Sequence, residues 1–262
     1  MVTAVAAEAD SVAAGLVGRA SSSAAGVLPS GHAVTRLSPS SSPEAPTGTA
    51  TGPEPGPSAP TAPTAGPYVD IVVGGAGPAA AAVGATSALA TTPYDLVVSA
   101  GIGGGFAPRA PLGALVVSDA IIAADLGADT PEGYLAVEEL GFGRSAHLPP
   151  AGLIDRVAEA LRAGGLPHLV APVLTVSTVT GTAARTSELT ARHPGAGAEG
   201  MEGFGVAEAA AAYGVPVVEL RAISNTVGPR DRAAWRIGPA LDSLRQAFRL
   251  LGTTVFPDLE AP

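Results

Sequence analysis

The sequence predicts an α/β protein, a single three-layer α/β/α domain built on a twisted, mostly parallel mixed central sheet. Three observations predict this fold. Short apolar segments typical of strands alternate with helical segments along most of the chain. Some strands are nearly continuous apolar runs, such as residues 217–223, which indicates strands covered on both faces. Several lead into glycine-rich or polar loops, where the binding groups of open α/β sheets lie.

The first 67 residues divide into an ordered start and a low-complexity stretch. Residues 2–18 predict a short strand followed by an apolar-periodic helix, with Glu8 near the junction. Residues 19–67 are dominated by Ser, Pro, Thr, Ala and Gly, and such a composition buries too little apolar surface to offset the entropy of ordering. We therefore expect one domain over 1–262, interrupted by a disordered or extended insertion at 19–67. A polyproline II ligand for a partner is the alternative interpretation of the insertion.

The rest of the chain alternates between the two kinds of element. The predicted segments are a strand, glycine loop and helix at 68–90, a strand at 96–99 with a second glycine loop at 101–105, a strand at 114–118, a long loop at 125–143, an amphipathic helix at 152–164, a strand at 169–177, a loop, helix and strand at 200–225, and a final helix at 238–251. The loop at 125–143 is polar and glycine-rich, so core packing does not account for it.

Composition excludes several classes of function. All 14 basic residues are Arg, which removes Schiff-base chemistry and a P-loop lysine. The formal charge of -9 disfavours nucleic acid as a partner, because that affinity rests mainly on cationic neutralisation of phosphates. The absence of cysteine removes disulfides and thiolate chemistry and is compatible with a cytoplasmic location.

No membrane segment is expected from the sequence. The N-terminus lacks a basic region and carries Glu8 and Asp10, unlike a signal peptide. The most apolar segment, 71–90, is interrupted by glycines and a proline, so it offers no span of about 18 residues to cross a bilayer.

Neither a metal site nor a cofactor site is expected. The four histidines are isolated in the sequence, at 32, 147, 168 and 193, and no serine lies in a G-x-S-x-G elbow. The glycines at 75 and 77 resemble a dinucleotide-binding turn, but Asp95 precedes its strand, whereas a ribose-binding acid follows one. A glycine turn that allows close backbone approach to a ligand is the preferred interpretation.

The remaining candidates are acids and an amide. Glu8, Glu202 and Asn225 each follow a predicted strand or open a helix, where side chains can converge over one edge of the sheet. The alternative for the two carboxylates is helix-start stabilisation, and for Asn225 it is a turn.

Residues 200–230 resemble the purine nucleoside phosphorylase and nucleosidase superfamily. That family carries a Met-Glu pair, a helix, a Val-Pro turn and a strand ending R-A-I-S-Asp or R-A-I-S-Asn, and this chain has Met201-Glu202 and R-A-I-S followed by Asn225. The similarity extends to VAAEADSV, VVGGAGPAAAAVGAT, LVVSAGIGGGFAP and LGALVVSD, and thus to most of the chain outside 19–67. One departure is that Glu-Met-Glu-Ala, common in the family, is Gly200-Met201-Glu202-Gly203 here.

The resemblance implies roles for these residues. Glu202 would accept hydrogen bonds from the ribose hydroxyls while Met201 packs on the sugar. Glu8, which matches the family's Ala-x-x-x-Glu, would deprotonate the attacking water. Asn225 would donate to O6 and N7 of a 6-oxopurine, where an adenine-specific relative has aspartate.

Backbone groups of Gly103 and Gly104, together with Thr180, are weaker candidates for the base pocket. The stretches 125–143 and 221–241 are similar to the branch that hydrolyses a hypoxanthine nucleoside with a bulky 5′ extension, whose pocket the 125–143 loop would help to shape. The resemblance also implies a small-molecule nucleoside substrate and a homodimer.

Two alternatives remain open. One is a phosphorylase of 6-oxopurine nucleosides, although around 101–105 the sequence offers only Arg109 as a cation for phosphate. The other is a non-catalytic nucleotide-binding module.

Overall fold

The computed structural model describes residues 1–39 and 68–259. Its main elements follow in chain order: β1 Val2–Thr3, α1 Ala6–Leu16, β2 Ala20–Val27, β3 Ala33–Pro39, β4 Val69–Val73, α2 Pro78–Leu89, β5 Val97–Gly105, β6 Leu115–Val117, β7 Ile121–Ala123, β8 Gly127–Thr130, β9 Gly133–Ala136, β10 Ala146–His147, α3 Ala151–Ala163, β11 His168–Val170, β12 Val173–Thr175, α4 Ala183–Arg192, β13 Ala198–Gly200, α5 Gly203–Ala212, β14 Val217–Thr226 and α6 Ile237–Thr254.

The described residues form a mixed sheet of 12 strands. Its main path is β10-β7-β12-β13-β5-β1-β4-β3-β2, and β14 joins β5 to β6, which in turn pairs with β11. The strands β1, β4, β5 and β14 are parallel to their partners within this group, whereas β13 pairs antiparallel with β5. Strands β8 and β9 form a separate hairpin.

Helices cover both faces of the sheet. On one face α1, α3 and α6 pack together around Val12, Leu161 and Phe248. On the other face α2 packs against α5, and a Cβ on Gly205 would lie 1.9 Å from the carbonyl oxygen of Pro78. This close approach holds the start of α5 beside the start of α2. The predicted three-layer fold with a mostly parallel sheet is confirmed.

The prediction of disorder was wrong for the first part of the insertion. Residues 20–39 form the antiparallel hairpin β2–β3, and β3 continues the sheet by pairing with β4. The small, polar composition of this segment did not indicate two contacts that stabilise the hairpin. Leu37 is buried in the core, and Arg36 forms a bidentate ion pair with Asp70 of β4. The rest of the predicted insertion, 40–67, lies outside the described residues.

Three other expectations were corrected. The predicted glycine loop at 101–105 is the second half of β5, because β14 and β13 pair with it on either side. The predicted strand at 169–177 is two strands, β11 and β12, separated at Pro172, which has no N–H to donate. The expected loop at 125–143 contains the β8–β9 hairpin. Helix α4, which was not predicted from the sequence, is capped by Thr182, whose hydroxyl accepts from the N–H of Arg185 (3.2 Å).

Within the part of the chain that the structure describes, no helix combines the length and apolarity needed to span a membrane.

Candidate active site

The centre of the candidate site is a buried guanidinium, that of Arg221 in β14. Its Nε donates to Glu219 Oε1 (2.8 Å), its Nη1 to Glu202 Oε2 (3.1 Å) and its Nη2 to Ser99 Oγ (3.2 Å). Burial opposes the charged form of Arg221, but nearby carboxylates outweigh it and raise its pKa. Arg221 therefore stays cationic and binds acidic groups that arrive from several elements.

Glu8, in the first turn of α1, is a nearby charge that interacts with this cation without a direct ion pair among the described residues. Its Oε2 accepts from the N–H groups of Ala4 (2.9 Å) and Val5 (3.2 Å), which is the helix-start role expected as the alternative. Its Oε1 accepts from the N–H of Ile102 in β5 (2.8 Å). One carboxylate oxygen thus anchors the helix while the other faces the interior of the site.

Gly101 leaves the space in which Glu8 and Arg221 approach each other. A Cβ on Gly101 would lie 2.6 Å from Glu8 Oε1 and 2.7 Å from Arg221 Nη1. Burial raises the pKa of Glu8, and the charge of Glu202 adds to this, while Arg221 and the Ile102 N–H oppose it. Glu8 is thus a carboxylate with its proton affinity increased, as a general base requires.

Glu202 joins the same cluster from the start of α5. Besides the contact with Arg221, its carboxylate accepts from the N–H of Gly77 (3.3 Å) in the glycine turn before α2, and from its own neighbour Met201 (3.3 Å). The structure thus brings Glu8 and Glu202 together around Arg221. Met201 is half-buried at the edge of the cluster.

Asn225 lies further along β14, where the pairing with β5 shifts register and places it opposite Gly104. Its Oδ1 lies 2.9 Å from the hydroxyl of Ser224, and its Nδ2 donates to the carbonyl of Thr226 (3.2 Å). A Cβ on Gly104 would lie 3.2 Å from Nδ2. These contacts fix the amide with its oxygen towards Ser224, which leaves the second N–H of Nδ2 for a ligand.

Asn225 and Thr180 line one cavity of about 100 Å³. Trp235 and Arg230 lie on its other side, and the guanidinium of Arg230 lies 5.3 Å from the centre of the Trp235 ring. The structure therefore brings two of the predicted base-pocket residues to a common cavity.

Glu199 holds Thr180 in place. Its carboxylate accepts from the Thr180 N–H (2.9 Å) and, through a very short hydrogen bond, from the Thr180 hydroxyl. Burial raises the pKa of Glu199, while both Thr180 donors oppose the shift. The remaining candidate, Gly103, lies between Glu199 of β13 and Arg221 of β14. A Cβ on Gly103 would be 2.7 Å from the Glu199 carbonyl oxygen and 3.5 Å from Arg221 Cβ.

A larger cavity of about 380 Å³ lies at the opposite edge of the sheet, near the amino ends of β4 and β5. Asp70 is there, bonded to Arg36 (2.5 and 2.7 Å) and to the Tyr94 hydroxyl (2.5 Å). None of the predicted site residues lines it. We therefore place the candidate site at the Arg221 cluster and its neighbouring cavity.

Sequence reasoning did not assign a role to Arg221, Glu219 or Glu199. The signal for the first two was present, since two charged residues at alternate positions of an apolar strand share one face and must pair when buried. Glu199 gave no comparable signal, because its contact with Thr180 depends on how β13 packs. Within residues 1–39 and 68–259, no group of three or more His, Asp or Glu side chains is arranged to hold a metal ion.

Comparison with known proteins identifies the family. A model of the phosphorylase superfamily matches residues 56–252. The chain belongs to this superfamily. It is 64% identical over 183 residues to a futalosine hydrolase of Streptomyces coelicolor, covering 68% of this chain and 76% of the relative. It is 42% identical over 252 residues to a futalosine hydrolase of Acidothermus cellulolyticus, covering 96% and 89%.

The fold agrees with that assignment. The solved structure of a futalosine hydrolase from Helicobacter pylori superposes with a TM-score of 0.74 at 14% identity, over 95% of this chain and 94% of that one. At this identity the likeness concerns the fold alone. The family model and the two relatives confirm the superfamily predicted from residues 200–230.

Proposed function

We propose that this member of the phosphorylase superfamily hydrolyses the N-ribosidic bond of futalosine and releases hypoxanthine. The nucleoside hydrolase branch predicted from residues 125–143 and 221–241 is confirmed by the two relatives, both futalosine hydrolases, at 64% and 42% identity. The observation that carries the mechanism is the buried cluster in which Glu8 and Glu202 face Arg221. Asn225, four residues beyond Arg221 in β14, lines a cavity.

Glu8 is proposed as the general base. Cleavage passes through an oxocarbenium-like sugar, and a water attacking C1′ must lose a proton as its bond forms. The raised pKa of Glu8 makes it a stronger base than an exposed glutamate, and its Oε1 faces the space above Gly101. Arg221 would hold Glu8 and Glu202 in position during this step.

Glu202 and Asn225 are proposed to hold the two ends of the nucleoside. Glu202 keeps acceptor capacity beyond its three present donors, so it can bind the ribose hydroxyls, with Met201 against the sugar. The free N–H of Asn225 donates to O6 or N7, both acceptors, and thereby stabilises the negative charge of the departing base. Gly103, Gly104 and Thr180 complete the base pocket.

A phosphorylase is the competing function, and the site disfavours it. Phosphate needs cationic partners, but Arg221 already faces the carboxylates of Glu8, Glu202 and Glu219. Arg109 is exposed on the surface. Purified protein incubated with futalosine and inosine, with and without phosphate, separates the two by HPLC. Hypoxanthine released from futalosine without phosphate supports hydrolysis, and release that requires phosphate contradicts it. Tight NAD binding without release of a base would favour a non-catalytic module.

The wider setting is also a proposal. Futalosine as substrate implies a role in menaquinone synthesis, and the cysteine-free composition fits a cytoplasmic enzyme. Residues 1–262 would form one domain. A homodimer is supported by exposed apolar side chains such as Phe142 (81% exposed) and Leu148 (78%), and light scattering would measure it.

A further inference from the structure

Glu219 is a buried carboxylate to which the proposed mechanism gives no task. It is completely inaccessible to solvent and lies in the middle of β14, two residues before Arg221 and on the same face. Its Oε1 accepts from Arg221 Nε (2.8 Å), whereas its Oε2 has no hydrogen-bond partner among the described residues. Burying this carboxylate is energetically unfavourable, because both oxygens have lost water and only one has gained a hydrogen-bond donor.

The chain makes room for this carboxylate with a glycine. A Cβ on Gly203 would lie 2.2 Å from Glu219 Oε2 and 2.3 Å from Oε1, so any larger residue there would displace the Glu219 carboxylate from its present position. Gly203 is the first residue of α5, where glycine weakens a helix relative to alanine. Its backbone does not have a positive φ, so space alone requires the glycine. The departure Met201-Glu202-Gly203 from the family's Met-Glu-Ala is thus explained by Glu219.

Glu219 fixes where the guanidinium of Arg221 lies. The Arg221 side chain is bound at Nε by Glu219, and this bond sets the direction in which Nη1 extends towards Glu202 and the space above Gly101. Without Glu219, the guanidinium would keep two hydrogen-bond partners, the Ser99 hydroxyl and the Glu202 carboxylate. The Glu202 carboxylate also accepts from two backbone N–H groups.

We propose that Glu219 is a positioning residue for the reaction: it holds Arg221 against Glu8 and Glu202, and Gly203 is required to accommodate it. This inference rests on the proposed function, because Glu8 and Glu202 are the groups that act on the nucleoside. Glu219 touches neither the reacting atoms nor the solvent and acts only through Arg221.

Glu219 also affects how kcat/KM depends on pH. The charged groups that face Glu219 are Arg221 on its own strand and Glu202 from the start of α5, and Glu8 from α1 faces the same guanidinium. Burial raises the pKa of Glu219, and Arg221 opposes this shift. In Glu219→Gln the amide oxygen can still accept from Arg221 Nε, but the negative charge that Glu219 carries in its ionised form is gone. Arg221 is then less neutralised and stabilises the ionised form of Glu8 more strongly.

The experiment compares Glu219→Gln with the wild type and with Glu159→Gln, a matched change at an exposed glutamate on α3. We expect the acidic limb of the kcat/KM profile for futalosine to move to lower pH by roughly half a unit or more, because the charge of a neighbouring carboxylate is removed. We also expect kcat to fall about threefold, because Glu8 becomes a weaker base. A Glu219→Gln profile that coincides with the wild type would overturn the proposal.

A second pair of variants separates positioning from packing. Gly203→Ala alone should unfold at a lower temperature, because its Cβ collides with Glu219. Adding Glu219→Val should recover part of that loss, because the collision is removed although Arg221 loses its Nε acceptor. The double variant should nevertheless lose kcat by about a hundredfold, since Arg221 is no longer held. A stable double variant with wild-type kcat would contradict the inference even if Glu219→Gln failed to fold. Failure of the wild type to cleave futalosine would instead contradict the proposed function.

Discussion

Replacing Asn225 with aspartate tests how the site selects its base. The Asn225 amide is oriented by Ser224 and by the carbonyl of Thr226, so Nδ2 presents a donor to the cavity that Thr180 also lines. Aspartate turns that donor into an acceptor facing O6 and N7 of hypoxanthine. Each buried hydrogen bond replaced by an unpaired or repelling acceptor costs about 1–3 kcal/mol. Because Nδ2 has one N–H left for the base, one such contact is lost, and we expect kcat/KM for futalosine to fall about 5–150-fold.

The assay for Asn225→Asp compares futalosine with its 6-amino analogue. The 6-amino analogue offers a donor at position 6, so its kcat/KM should fall much less, and the preference for the 6-oxo base should shrink or reverse. Thr226→Ser serves as the control, because it changes the adjacent exposed side chain but keeps the backbone carbonyl. If Asn225→Asp leaves the ratio of the two substrates at its wild-type value, the account of base recognition is wrong.

Three further predictions concern proton affinity, the base pocket and the sheet edge. Burial raises the pKa of Glu8 above its ordinary value of 4.5, and Glu8 must be ionised to act as the base. We therefore expect kcat/KM to fall with decreasing pH through a pKa higher than 4.5. A fall in kcat/KM with an apparent pKa at or below 4.5 would contradict this. Glu199→Gln should raise KM for futalosine about tenfold with a smaller change in kcat, because Thr180 loses one of its two acceptors; an unchanged KM in steady-state kinetics would refute it. Arg36→Ala should lower the free energy of unfolding, measured with urea, by about 1–2 kcal/mol without changing kcat, because Asp70 is buried whereas Arg36 is partly exposed. The control is Arg245→Ala, which removes an exposed ion pair with Asp242. An equal loss of stability in both variants would show that the burial of Asp70 adds nothing to the Arg36–Asp70 contact.

The larger features of the fold were predictable because their signals are local. Alternating strands and helices, the apolar run before Asn225 and the periodic α3 and α6 helices all follow from short-range patterns. The hairpin β2–β3 could not be predicted in this way. Its strands consist largely of small and polar residues, and their order depends on pairing with β4, which begins at Val69, 30 residues after Pro39.

The candidate site was predictable only in part for the same reason. Glu8, Glu202 and Asn225 were found through motifs, and the structure adds what joins them. Arg221 links the first two through a guanidinium buried in β14, and this link crosses more than 200 residues of sequence between Glu8 and Arg221. The clash that makes glycine necessary at position 203 is visible only when α5 is packed on β14.

The central claim is that Glu8 activates water to cleave futalosine, and one measurement tests it most directly. Hypoxanthine release from futalosine is followed in phosphate-free buffer for the wild type and for Glu8→Gln, together with substrate binding to both by calorimetry. We predict complete release by the wild type, and for Glu8→Gln a loss of turnover by about 10²–10⁴-fold with binding largely retained. Wild-type release that depends on phosphate, or a Glu8→Gln variant that turns over at the wild-type rate, would contradict the account.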